Sequence, residues 1–237
     1  MTAEKHAWHP TDGGPHYAET PTMIEFGQWL MEPWNAISSL LIVAPAIYFL
    51  WRLRGRFSEN IILTACIPLL AAGGMGSTLF HGLRSSRFLL MLDVWPTMVL
   101  FLLITLYFWA KAYRNWWAAA ATMVAGFALP FWVYTGFKGS FAINLGYAVR
   151  GTLFFLPLVV LLFRTRFKGA GYVLFGLLAF GAALLFRTTD KQFTDILPMG
   201  THFLWHSFTG IGGFLIAEYL LRTNAATASK TTILQAG

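Results

Sequence analysis

An all-α membrane protein, a bundle of seven transmembrane helices, is the fold this sequence predicts. Three observations carry that expectation. Hydrophobic residues make up 57% of the 237 and charged residues only 11%, whereas a soluble domain normally carries about a quarter charged residues. The apolar residues arrive in blocks of roughly 20, the length a helix needs to cross about 30 Å of hydrocarbon. The connections between blocks are short and hold breakers or charges, as in Arg52-Leu53-Arg54-Gly55-Arg56 and Arg164-Thr165-Arg166-Phe167-Lys168-Gly169.

Segment 1–34 is polar and rich in Gly, Pro and His. It lacks the basic stretch followed by an apolar run that marks a cleavable signal, so the first helix is expected to be retained. The spans are expected at 35–53, 60–80, 88–108, 116–134, 141–163, 169–186 and 199–221. The transmembrane domain is therefore 35–222, and 223–237 reads as a flexible tail. The segments after the first, third, fifth and seventh spans hold ten Lys or Arg: Arg52, Arg54, Arg56, Lys111, Arg114, Arg164, Arg166, Lys168, Arg222 and Lys230. The other side holds six, namely Lys5, Arg84, Arg87, Lys138, Arg187 and Lys191, with Arg150 inside a span. The excess of cations places the C-terminus in the cytoplasm and the N-terminal segment on the periplasmic or lumenal face.

The net charge of +7 does not point to nucleic acid, because the basic residues sit at the ends of apolar blocks and form no continuous patch. Cys66 is the only cysteine, which removes disulfide frameworks and thiolate clusters. Any metal must be held by His, carboxylate or hydroxyl groups. Trp116, Trp117 and the other aromatics near helix ends read as interfacial anchors, and a subset is expected to line an apolar cavity beside any metal.

An ionisable residue within a membrane helix costs on the order of 2.5–3.5 kcal/mol even on the lenient insertion scale, so each needs a partner or a role. His202 and His206 are four apart and project from one helix face. Ser77 and His81 share that spacing at the end of the second span, and one short loop separates them from Asp93 at the start of the third. By the order of the spans, all five lie at one depth, on the side of the N-terminus. Three imidazoles with an open fourth position suit catalytic zinc. The alternatives are buried hydrogen-bonding histidines or haem ligands. For Asp93 the alternative is a residue that only orients a histidine, and for Ser77 it is close helix packing. Arg150 pairs either with an internal acceptor or with a lipid headgroup, Glu218 is expected to snorkel to the cytoplasmic surface, and His6, His9 and His16 read as solvated.

Several local motifs resemble those of the alkaline ceramidases, within the superfamily that includes the adiponectin-receptor-like and hemolysin III-like membrane proteins. Gly74-Met75-Gly76-Ser77-Thr78-Leu79-Phe80-His81 is similar to the family's Gly-Met-Gly-Ser-x-x-Phe-His segment, and Leu92-Asp93-Val94-Trp95-Pro96 to its Leu-Asp-x-x-Pro. His202-Phe203-Leu204-Trp205-His206-Ser207-Phe208-Thr209-Gly210 resembles its His-x-Leu-Trp-His-x-x-Thr-Gly, and Glu32-Pro33-Trp34-Asn35 its Glu-x-Trp-Asn. The resemblance implies seven helices, His81, His202 and His206 as zinc ligands, Asp93 near the attacking water and Ser77 close to the scissile carbonyl. It implies hydrolysis of ceramide or a related long-chain N-acyl lipid, with a receptor-like or regulatory relative carrying a structural or weakly hydrolytic zinc site as the alternative.

The family's Asp-Trp-x-Glu-x-Asn calcium motif falls, without a gap, on Ala18, Glu19, Pro21 and Met23. A gap of one or two residues would bring Glu19 into it, and Asp12 and Glu25 are nearby. Calcium held by Glu19, Glu32 and Asn35 is therefore one expectation, and capping or hydrogen bonding of the first helix by Glu32 and Asn35 is the other. The acidic residue that often follows the family's Asp is Val94 here, and the loop between His81 and Asp93 is one residue longer, so substrate gating is expected to differ.

Overall fold

The computed structural model describes residues 5–136 and 139–235. Among these, seven α-helices follow in order: α1 (Pro33–Arg52), α2 (Ile61–Leu83), α3 (Arg87–Tyr113), α4 (Trp116–Gly136), α5 (Gly139–Arg164), α6 (Ala170–Thr188) and α7 (His202–Gln235). Each predicted span lies on one of them. Among the described residues, four helical stretches are long and apolar enough to cross a membrane: α1, α2 with its preceding 3-10 turn, α3 and α6. The apolar stretch Trp116–Leu129 of α4 is shorter. Lys138, counted in the charge bias, lies outside the described residues.

Two features depart from the expected pattern. The helix α7 does not stop near 221 but runs on to Gln235, because 223–235 contains neither Gly nor Pro to end it. The N-terminal segment also forms a small antiparallel pair, β1 (Lys5–Ala7) with β2 (Met23–Glu25), in which His6 faces Ile24.

The chain divides into two compact units, Phe101–Val173 and the remainder. In the unit Phe101–Val173, α4 and α5 pack on each other. Trp109 Nε1, near the end of α3, donates to the Leu153 carbonyl at 2.8 Å, so its indole N–H is satisfied inside an apolar interior.

The other unit carries the candidate site. Here α1 packs between α2 and α7. Its inner face holds Asn35, Ser38 and Ser39, all buried, while Ile37, Leu40, Leu41, Ile47 and Leu50 are exposed. Polar inside and apolar outside is the reverse of a soluble helix and suits a hydrocarbon surround. Close approach depends on glycine at two points: a side chain at Gly210 would strike the Leu41 carbonyl of α1, and one at Gly76 would strike the Leu92 carbonyl of α3. The second contact sets Asp93 beside Ser77. Backbone atoms cannot rotate aside, so Gly76→Ala is expected to destabilise by about 1–3 kcal/mol. Unfolding of the purified variant in detergent measures this, and an unchanged midpoint would contradict the close crossing.

Helix ends in this unit are built by distant residues. Glu32 precedes α1 but makes no side-chain cap. Instead Glu19 accepts from the Trp34 and Asn35 N–H groups at 2.6 and 2.9 Å, satisfying donors that a helix start leaves open. The capping expected of Glu32 therefore belongs to Glu19. At the start of α7, Asp190 Oδ1 accepts from Thr201 N and His202 N, both at 2.9 Å. Arg84 ends α2 in the left-handed conformation with φ 47°, a place glycine usually takes because a Cβ there costs roughly 1 kcal/mol. Glu218 does not snorkel as expected: it is buried, accepting from Tyr48 Oη at 3.2 Å and from Arg222 Nε at 2.8 Å.

Candidate metal centre

The end of α2 and the first turns of α7 bring His81, His202 and His206 together, all buried. One ring nitrogen from each lies within 4.8 Å of the others, and the ring centroids are 4.7–5.3 Å apart. In a tetrahedral zinc site the ligand nitrogens stand about 3.3 Å apart, so a small inward movement of the rings closes the set on an ion.

Two of the imidazoles are already oriented for this. His81 Nδ1 donates to Glu32 Oε2 at 2.5 Å, which leaves Nε2 as the ring nitrogen that Glu32 does not engage. His206 Nδ1 faces the Asn35 carbonyl at 3.1 Å, with Ser38 Oγ at 3.0 Å and Ser39 Oγ at 3.2 Å. A carboxylate or carbonyl behind the ring, fixing the tautomer, is the usual arrangement around a metal-binding histidine. His202 Nδ1 is buried and has no hydrogen-bond partner among the described residues, an orphaned polar atom that an ion would satisfy. These donors fit zinc.

Ser77 is buried, with its Oγ accepting from Ser39 Oγ at 3.0 Å, and Asp93 lies beside it across the contact of Gly76 with Leu92. All five site residues expected from the sequence are thus in one place. His6, His9 and His16 are exposed and do not belong to the cluster. The apolar cavity expected beside the metal is not matched by the cleft of about 200 Å³ between α1 and α2, which is lined by Trp29, Ile37, Leu40 and Leu79 and by none of the five.

Sequence reasoning missed the polar cover over the centre. Tyr17 stacks on the His202 ring at 3.8 Å, and burial raises its phenol above the ordinary value near 10. Asp190 Oδ2 accepts from Ala18 N at 2.8 Å. Arg84, read only as a topology signal, donates through Nε to Asp12 Oδ2 at 2.7 Å, through Nη1 to Glu32 Oε1 and through Nη1 to the Pro15 carbonyl at 3.1 Å. Burial opposes its charge, but Asp12 and Glu32 outweigh that and hold its pKa above the ordinary value. Its position three residues beyond His81, at the end of the same helix, was the available signal.

The groups offered to calcium are occupied. Glu32 Oε1 accepts from Thr20 Oγ1 at 2.6 Å and from Arg84, and its Oε2 accepts from His81 and from Asn35 Nδ2 at 3.2 Å. Both Glu19 carboxylate oxygens cap α1, leaving Asn35 Oδ1 as the one side-chain oxygen of the three residues without a partner among the described residues. Calcium takes six to eight oxygens, and this set does not fit it.

Burial pushes the Glu19 carboxyl up to about 7. A carboxyl raised in the folded state binds its proton more tightly there, so its contribution to stability is complete below the ordinary value of about 4.5 and fades as pH rises through about 7. Glu19→Gln should therefore flatten the fall in unfolding midpoint between about pH 5 and 8. If variant and native chain fall in parallel, Glu19 does not titrate in that window.

No protein-family model matches this chain, and a search of curated proteins finds no significant match to it. What the described residues show is a predominantly helical protein with four helices apolar and long enough to cross a membrane, holding three buried histidines close enough together for a metal ion.

Proposed function

We propose that this chain is a seven-pass membrane protein, with its N-terminal segment on the periplasmic or lumenal face, that uses zinc to hydrolyse the amide of ceramide or a related long-chain N-acyl lipid. The observation that carries the reading is the meeting of His81, His202 and His206 with the Ser77–Asp93 pair. The apolar outer face of α1 supports the membrane setting, and the motif resemblance supports the substrate class.

When bound, zinc would supply Lewis acidity, which lowers the pKa of water to about 7. Asp93 is the group that takes a proton from the attacking water. The neighbouring Ser77 hydroxyl, whose oxygen accepts from Ser39, donates its own hydrogen to the amide carbonyl oxygen as negative charge gathers there. Asp93 then returns the proton to the nitrogen as the C–N bond breaks. The acyl carbon keeps the water oxygen and leaves as fatty acid, and the amine departs neutral.

The test is to purify the protein, measure bound metal and incubate it with a panel of N-acyl lipids while following free fatty acid. Release from at least one lipid, lost when zinc is chelated and regained when it is returned, is expected. Metal without release from any lipid would overturn the hydrolase and favour a receptor-like relative with structural zinc.

A further inference from the structure

Next to the histidine centre the chain buries a cation of its own. Arg84 is 1% exposed, and its guanidinium binds both oxygens of Asp12, with Nη2 to Oδ1 at 3.1 Å completing the fork. Its Nη1 reaches Glu32, the Pro15 carbonyl and Thr20 Oγ1. Its planar face lies over Phe80, 4.7 Å from the ring centroid, and 5.9 Å from that of Tyr17. The left-handed backbone at this position would be easier for glycine, so the side chain is what the site requires.

These contacts form one path. Arg84 ties the segment from Asp12 to Thr20 against the end of α2 and thereby sets Tyr17 on the His202 ring. The same guanidinium holds one oxygen of Glu32, whose other oxygen holds His81 Nδ1. A planar fork that binds two carboxylates and a carbonyl does by geometry what a bound divalent ion does by coordination.

We propose that Arg84 is the built-in cation of this centre: it positions Glu32, and through it His81, and clamps the N-terminal segment over the three histidines, so the protein takes up zinc but no calcium. The proposal rests on the zinc reading of the histidines and is independent of which lipid is cleaved.

The test uses the full-length protein in nanodiscs. Equilibrium dialysis with radioactive calcium at about 1 mM, the upper range for weak extracellular sites, should find none bound to the native chain, with no change in unfolding midpoint. One bound calcium per chain would overturn the proposal. Arg84→Gln should weaken zinc binding about tenfold or more, because it frees Glu32, the outer partner of His81, and lower the midpoint by about 6 °C or more. Methylguanidinium should restore both toward native. Unchanged zinc affinity, or no restoration, would overturn the positioning role.

Where Arg84→Gln fails to fold, Asp12→Asn is read by protease cleavage within 12–20. Faster cleavage than in the native chain is expected, and equal rates would overturn the clamp. No arm reads lipid turnover. A chain that holds zinc, excludes calcium and cleaves no lipid would therefore sink the hydrolase reading and leave Arg84 in its role.

Discussion

Replacing His206 by alanine is expected to empty the metal centre and reduce lipid turnover to background. Its ring is one of the three that lie close enough together to hold a metal ion, and it is fixed from behind by the Asn35 carbonyl and the Ser38 and Ser39 hydroxyls. Even outer partners of a ligand change metal affinity about 10–100-fold, so removing a ligand outright should exceed that range. Zinc content measured at limiting metal should fall from one per chain toward none. Any ligand that binds only the folded state adds to its stability, so the variant should also melt lower than the zinc-loaded native protein and no higher than the chelated one. A variant that kept stoichiometric zinc would show that His206 is a structural histidine.

Asp93→Asn should give a different signature, with turnover down by about 10²–10⁴-fold and zinc content unchanged. The choice between proton transfer and mere orientation of a histidine is informed by who already does the orienting. His81 is held by Glu32 and His206 by Asn35, and Asp93 sits instead beside Ser77, across the Gly76–Leu92 contact. Asparagine keeps the shape and can still meet Ser77 but cannot accept a proton from water. If the variant instead lost zinc and regained turnover when excess zinc was supplied, Asp93 would be an orienting residue.

The parts of the site that lay in regular elements were legible in the sequence. Spacing of four residues put His202 with His206 and Ser77 with His81 on single faces, and the alternation of spans put both pairs and Asp93 at one end. Gly76 and Gly210, inside the motifs, turn out to be where helices touch, which explains why the motifs are compact. What was not legible came from the irregular segment before α1. Asp12, Tyr17 and Glu19 have no periodicity to betray them, and their partners are Arg84, His202 and the start of α1. Asp190 caps His202 from twelve residues upstream, across a loop that carries no local signal. Arg84 was misread because a lone arginine at the end of an apolar block usually marks topology. Glu218 was misread because its acceptance from Tyr48 of α1 depends on a helix pairing that the sequence does not display.

X-ray absorption spectroscopy at the zinc edge of the purified, lipid-embedded protein tests the central claim most directly. One zinc per chain is expected, with three imidazole nitrogens at about 2.0–2.1 Å and one lighter oxygen ligand. A protein that carries no zinc, or one whose zinc has fewer than three imidazoles, would contradict the account.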